Sequence, residues 1–233
     1  MISALFAGIV AGGTLTGLQT LKVYPLIFAA EEFENDSHEH ALKAPSGHHT
    51  AVGGHSEDAE TWMPADGLER LFYSLLSNVL IGVGLGLVLA AIFALRHVAS
   101  WRQGVVWGLA GFVAVNLAPA LGLPPELPGM PAGALVARQT WWLSTAAFTA
   151  GGIALIFLSQ GLIWRLPGVL LIALPHIYGA PHPANSASDV PAILAANFAT
   201  ASLASNLIFW AVLGLLAAET MARLKRTETS KAA

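Results

Sequence analysis

Residues 68–95 read LERLFYSLLSNVLIGVGLGLVLAAIFAL. After Arg70 no charged side chain appears until Arg96. About 20 apolar residues in helical form cross the hydrocarbon core of a bilayer, so this stretch is long enough to span one. The surrounding chain has the same character. Its 233 residues are 55% hydrophobic and only 11% charged, whereas soluble domains carry about a quarter charged residues. Mean hydropathy is +0.63. A lipid-exposed chain must satisfy its own backbone groups, so the apolar segments have to be helices. The fold class expected is all-α, a polytopic membrane protein.

Six apolar segments can be drawn: Ile2–Ala30, Leu68–Leu95, Gln103–Pro119, Gln139–Ile163, Leu166–Tyr178 and Val190–Ala218. The first lacks a basic leader and is long for the apolar core of a signal peptide, so it reads as a retained span. Cations fix the sidedness. Arg96 and Arg102 lie between segments two and three, Arg165 between four and five, and Arg223, Lys225, Arg226 and Lys231 after six. The positive-inside rule puts these on the cytoplasmic side. Six crossings satisfy it, with both termini cytoplasmic. The fifth segment is short, and five crossings with a re-entrant fifth segment is the alternative.

The domain reading follows: span one at 1–30, an extracytoplasmic loop at 31–67, spans two to six at 68–218, and a cytoplasmic tail at 219–233. Pro25, Pro119 and Pro175 each sit near the outer end of an odd-numbered span. Ser74-Leu75-Leu76-Ser77-Asn78 in span two resembles Ser202-Leu203-Ala204-Ser205-Asn206 in span six, and Leu143 and Thr145 fit span four more loosely. The chain therefore reads as three helical hairpins of like orientation, with the outer ends of helices three and five broken. Gly8/Gly12, Gly13/Gly17, Gly82/Gly86 and Gly104/Gly108 have the spacing of close helix contacts.

The loop at 31–67 holds His38, His40, His48, His49 and His55 and nine carboxylates against Lys43. With few large apolar residues it is expected to be unstructured without a ligand. Imidazole and carboxylate together suit Co²⁺, Ni²⁺ or Zn²⁺. Glu31 and Glu32 are candidate oxygen ligands beside the five histidines. Binding needs neutral imidazole and should weaken below about pH 6.5. The chain has no Cys, which excludes disulfides and thiolate ligands. A second candidate place is Leu174-Pro175-His176 with Pro181-His182-Pro183, where a helix-interrupting proline sets His176, and after it His182, near the membrane surface. Asn116, before Pro119, is its counterpart in span three. Asn78 and Asn206, with the neighbouring serines, either line a pathway or join helix to helix. Glu69, Arg70 and Arg138 at outer helix ends are expected to pair or snorkel.

No phosphate-binding loop, nucleophile elbow or zinc-protease motif is present in the sequence, so no enzyme activity and no tightly bound cofactor is expected. A basic surface for nucleic acid is not indicated either.

Taken together these residues resemble the CbtA family of predicted cobalt transporter subunits. The resemblance rests on Tyr24-Pro25-Leu26-Ile27 with Glu31-Glu32, the His-bearing insertion, Asp66-Gly67-Leu68-Glu69-Arg70, and Asn116-Leu117-Ala118-Pro119 through Pro124-Pro125-Glu126-Leu127-Pro128-Gly129. It continues in Arg138-Gln139-Thr140-Trp141-Trp142, Leu174-Pro175-His176 and Ser202–Asn206. It implies an inner-membrane protein that takes Co²⁺ as substrate for cobalamin synthesis, alongside a small single-span CbtB-type subunit. Family descriptions give five spans against the six that charge placement favours. Two other readings stay open: a metal-responsive assembly or receptor subunit that conducts nothing itself, and an organic-solute transporter.

Overall fold

The computed structural model describes residues 1–43, 64–65, 67–98 and 100–232, with side chains at 34–43 and at five positions of the C-terminal tail left aside. All regular structure among the described residues is helical. Helix α1 (Ile2–Leu18) passes through a wider turn at Gln19–Val23 into α2 (Tyr24–Lys43). Helix α3 spans Leu68–Arg96. Helix α4 (Trp101–Phe112) passes through a like turn at Val113–Leu117 into the short α5 (Ala118–Ala120). Helix α6 covers Leu135–Leu158, α7 Arg165–Tyr178 after a 3₁₀ turn at Leu162–Trp164, and α8 Ala192–Ala232.

Five helical stretches are long and apolar enough to cross a membrane: Ile2–Phe33, Leu68–Arg96, Trp101–Ala120, Leu135–Leu158 and Ala192–Leu224. Leu162–Tyr178 is a shorter apolar helix. It folds back along α6 until Pro175 lies under Trp141, whose indole Nε1–H donates to the Pro175 carbonyl at 3.2 Å. So it retraces most of the longer helix. The fourth segment ends earlier than its apolarity suggests, because Ser159-Gln160-Gly161 breaks the helix and Gly161 takes φ +108°.

Glycine decides which helices touch. A Cβ on Gly8 would lie 2.4 Å from the Val83 nitrogen, and one on Gly82 would lie 2.6 Å from the Gly8 carbonyl. Likewise a Cβ on Gly104 would lie 2.3 Å from the Gly214 carbonyl, and one on Gly152 would lie 2.6 Å from the Gly168 carbonyl. Three backbone-to-backbone seams result: α1 with α3, α4 with α8, and α6 with α7. These differ from three consecutive hairpins. Spans one and two pair, as do four and five, but span three closes on span six. The glycines at 104, 108 and 214 permit that approach, whereas α4 and α6 barely touch. Gly13 and Gly17 face open space and make no contact.

The first and third spans share another feature. Within both wider turns the backbone bonds reach five residues: Tyr24 N–H to the Gln19 carbonyl, and Ala118 N–H to the Val113 carbonyl. Each turn is followed at once by X-Pro, Tyr24-Pro25 or Ala118-Pro119. Proline lacks the amide proton and its ring crowds the carbonyl four residues back. A π turn just ahead of it opens the room required. The break expected at Asn116 is therefore a widened turn and not unwound chain. At Pro175 the helix runs on to Tyr178 before Gly179 ends it at φ +92°. Only one ladder bond is lost so close to a helix end.

The three weakly basic connections meet at one end. Ala30, Leu127 and Val190 are buried against each other, Gly122 packs on Trp141 and Ala180, and Gly133 lies against the Pro181 carbonyl. At the other end Val98, in the Arg96–Arg102 connection, is buried with Phe93, Ala217 and Ala218. The α6/α7 pair meets the remaining helices chiefly through Val113–Leu117, α5 and the first turns of α6. Helix α2 continues beyond Ala30 to Lys43, so residues 31–43 of the loop expected to be unstructured are helical; residues 44–63 lie outside the described residues. Glu and Ala in that sequence are good helix formers.

Candidate functional site

Two cavities open between the helices toward the end where the weakly basic connections gather. The larger, about 910 Å³, lies between α1, α2, α3 and α8. At its mouth Arg70 Nη2 donates to Glu31 Oε1 at 3.0 Å, and the guanidinium lies 5.2 Å over the Phe28 ring. Its deeper wall carries Gln19, Ser74, Ser77, Asn78, Ser202, Ser205 and Asn206. These are the Ser-Leu-x-Ser-Asn side chains of spans two and six, brought to face one space by the packing of α1 on both α3 and α8.

Asn78 is fixed by its neighbours. Its Nδ2 donates to Thr16 Oγ1 at 3.0 Å and to Gln19 Oε1 at 2.6 Å. Gln19 opens the π turn, so the turn that accommodates Pro25 also carries the residue that holds Asn78. The sequence reading missed Thr16 and Gln19. The available signal was an amide and a hydroxyl within an apolar span, three residues apart and so on one helix face.

The second cavity, about 590 Å³, is lined by Asn116, Pro119, Glu126, Arg138, Gln139, Trp142 and Asn206 among others. Asn206 thus borders both. Asn116 Oδ1 accepts from the Trp210 indole at 2.7 Å. Arg138 Nη2 donates to Glu126 Oε2 at 2.6 Å. As expected, Arg70 and Arg138 both form ion pairs, near the first turns of α3 and α6.

The structure therefore brings Asn78, Asn206 and Glu31 to one cavity, and Asn116 and Asn206 to the other. It does not bring His176 or His182 to either. The His176 ring stands edge-on to Trp141 at 5.8 Å, and its Nε2 is buried with no partner among the described residues. His182 is exposed, as is Glu32. Among the described residues no three His, Asp or Glu side chains gather to hold a metal ion. His48, His49 and His55 lie outside the described residues; His38 and His40 fall in α2, where only the backbone is described.

Neither the curated proteins nor the solved structures contain a match to this chain. A family profile described as "Probable cobalt transporter subunit (CbtA)" matches residues 1–222. The word subunit implies further components. With nearly its whole length matched, and with the Glu–Arg pairs and Asn-lined cavities built from the segments that carry the resemblance, the chain belongs to the CbtA family.

Proposed function

We propose that this chain is the membrane-embedded subunit of a Co²⁺ uptake system of the bacterial inner membrane, supplying cobalamin synthesis. Both termini lie in the cytoplasm, and a small single-span CbtB-type protein is the partner. The observation that carries the reading is the 910 Å³ cavity: amides and hydroxyls from three spans converge in a bundle that is otherwise apolar. Polar groups at membrane depth are costly and mark substrate paths. The histidines and carboxylates of 31–67 gather the ion outside; Asn78, Asn206 and Asn116 line its way inward. A doubly charged cation moving to a negative interior gains roughly 4.6 kcal/mol per 100 mV. Ni²⁺ and Zn²⁺ suit the same donors.

Uptake of ⁵⁷Co by cells carrying the gene, against cells lacking it, tests the proposal; equal uptake rejects it. Deleting residues 44–63 is expected to raise the Co²⁺ concentration for half-maximal uptake while leaving the maximal rate near wild type. His176 stands outside both cavities, so His176→Ala is expected to retain uptake. Its loss in that variant, at normal protein levels, would return His176 to the route.

The family description as a subunit favours one other reading, a component that conducts nothing alone. Proteoliposomes holding this chain by itself separate the two. Co²⁺ accumulation assigns conduction to it, and accumulation only when the partner is added assigns conduction to the assembly.

A further inference from the structure

In the larger cavity the deep polar groups both give and take hydrogen bonds. The hydroxyls of Tyr24, Ser74, Ser77 and Ser202 and the amides of Gln19 and Asn206 line the same space, and groups of these kinds serve as donor or acceptor alike. Such a wall does not discriminate by charge. Discrimination has to come from the mouth, where among the described residues the cavity carries one acid, Glu31, and one base, Arg70. The two are bonded to each other at 3.0 Å, with the Glu31 side chain 32% exposed and that of Arg70 27%, so an ion in water reaches the carboxylate. Tyr24, Ile27 and Glu31 recur on one face of α2, and Arg70, Tyr73, Ser74, Ser77 and Asn78 run along α3. From Arg70 to Asn78 is about 12 Å of helix, so the charged pair caps a column of neutral groups.

The guanidinium occupies the place a metal cation would take. A monovalent ion put there instead trades one unit charge for another. It also forfeits the charge-assisted hydrogen bond of the guanidinium and its contact with the Phe28 ring at 5.2 Å. A divalent ion doubles the Coulomb attraction to the carboxylate at the same distance. It repels Arg70 as well, so the two do not share Glu31. Phe28 lies three residues before Glu31 on α2, and its ring gives the guanidinium a seat beside the carboxylate as well as on it. In the second cavity the Glu126 carboxylate is the more enclosed partner, at 21% exposure, and the Arg138 Nε is buried, which holds that pair in place.

Resting on the cavity as the ion's route, we propose that Glu31 is the cavity's inner-shell ligand for the incoming divalent cation, and that Arg70 is the resident cation it displaces. The pair is a gate opened by exchange, in which two positive charges drive off one. Full-length wild type, Arg70→Lys, Arg70→Gln, Glu31→Gln and the double variant Glu31→Gln/Arg70→Gln are compared for Co²⁺ binding by calorimetry in detergent and for ⁵⁷Co²⁺ uptake in cells. Residues 32–63 are common to all five, so differences report the pair. Removing the competitor is expected to tighten Co²⁺ binding, roughly fivefold in Arg70→Gln. The gain is smaller in Arg70→Lys, which keeps the charge and loses the planar fork and serves alone if Arg70→Gln does not fold. Glu31→Gln is expected to weaken binding about tenfold or more, and the double variant to stay weak. A pair that only braces α2 against α3 predicts the opposite: no tightening in either Arg70 variant, and recovery in the double variant once the stranded cation is gone. Either result overturns the exchange. Wild-type uptake with equal Co²⁺ affinity in all five proteins overturns the site and leaves the uptake reading standing. The expected order of affinities without Co²⁺ uptake, even with the partner present, rejects the uptake reading instead.

Discussion

Gly214→Leu is expected to unfold the protein or lower its stability by about 3 kcal/mol or more. A Cβ at this position would lie 2.2 Å from the Gly104 carbonyl and 3.0 Å from the Gly108 Cα. Both obstacles are backbone, so no side chain can turn aside. Gly104 and Gly108 face the same seam from the other side, where added Cβ atoms would lie 2.3 Å and 2.2 Å from the Gly214 and Trp210 carbonyls. Lipid supplies no hydrophobic drive to push membrane helices together, so close packing itself holds them. Forcing α4 from α8 also separates Asn116 from Trp210 and opens the core around Phe209 and Leu213. Thermal unfolding of purified protein in detergent reads the loss. Gly13→Ala and Gly17→Ala are the controls. Their Cβ positions meet nothing within 4 Å, and both should match wild type within about 0.5 kcal/mol.

Arg138→Ala is expected to cost about 2–4 kcal/mol, less than a fully buried pair because water still reaches both partners. The guanidinium is 28% exposed and the Glu126 carboxylate 21%. Their bond is what ties the irregular stretch after α5 to the start of α6. Removing only the cation strands a half-buried carboxylate, which is worse than removing both. Glu126→Gln combined with Arg138→Ala should therefore recover a substantial part of the loss. A double-mutant cycle of unfolding free energies measures this. If the two single losses simply add, the pair is not coupled and its role in holding the loop is refuted.

Much of the architecture can be read from the residues, and the misses have identifiable causes. Which connections share an end was legible because cations are few and lie at alternate connections; the burial of Ala30, Leu127 and Val190 together agrees with that grouping. Span boundaries were legible to a few residues except at Ser159-Gln160-Gly161, where apolar Leu162, Ile163 and Trp164 resume too soon to mark the break. The choice of partner was not legible. Gly104 and Gly108 announce a close approach, but the sequence does not say to which helix. Prolines 25 and 119 announce a disturbance, yet a lost amide proton is equally compatible with unwound chain or a π turn. At the site, Asn78 and Asn206 stood out as polar groups repeated in apolar spans, and the structure gathers them at one cavity. His176 stood out for the same reason, and the Trp141 ring packs against it instead. Depth along a helix can be counted in sequence, whereas azimuth around the bundle depends on every other helix.

The attachment of α6 and α7 near Trp141 has a mechanical corollary. A unit moored at one end is a lever, with its fulcrum where the indole is clamped between Gly122 and the Pro175 carbonyl. From there to the far tip at Leu158 is about 26 Å of helix at 1.5 Å per residue, so ten degrees of tilt sweeps the tip by roughly 5 Å. The second cavity sits beside that fulcrum, walled on one side by α6. Rocking this arm would change its inner end most while sparing the Gly104–Gly214 seam.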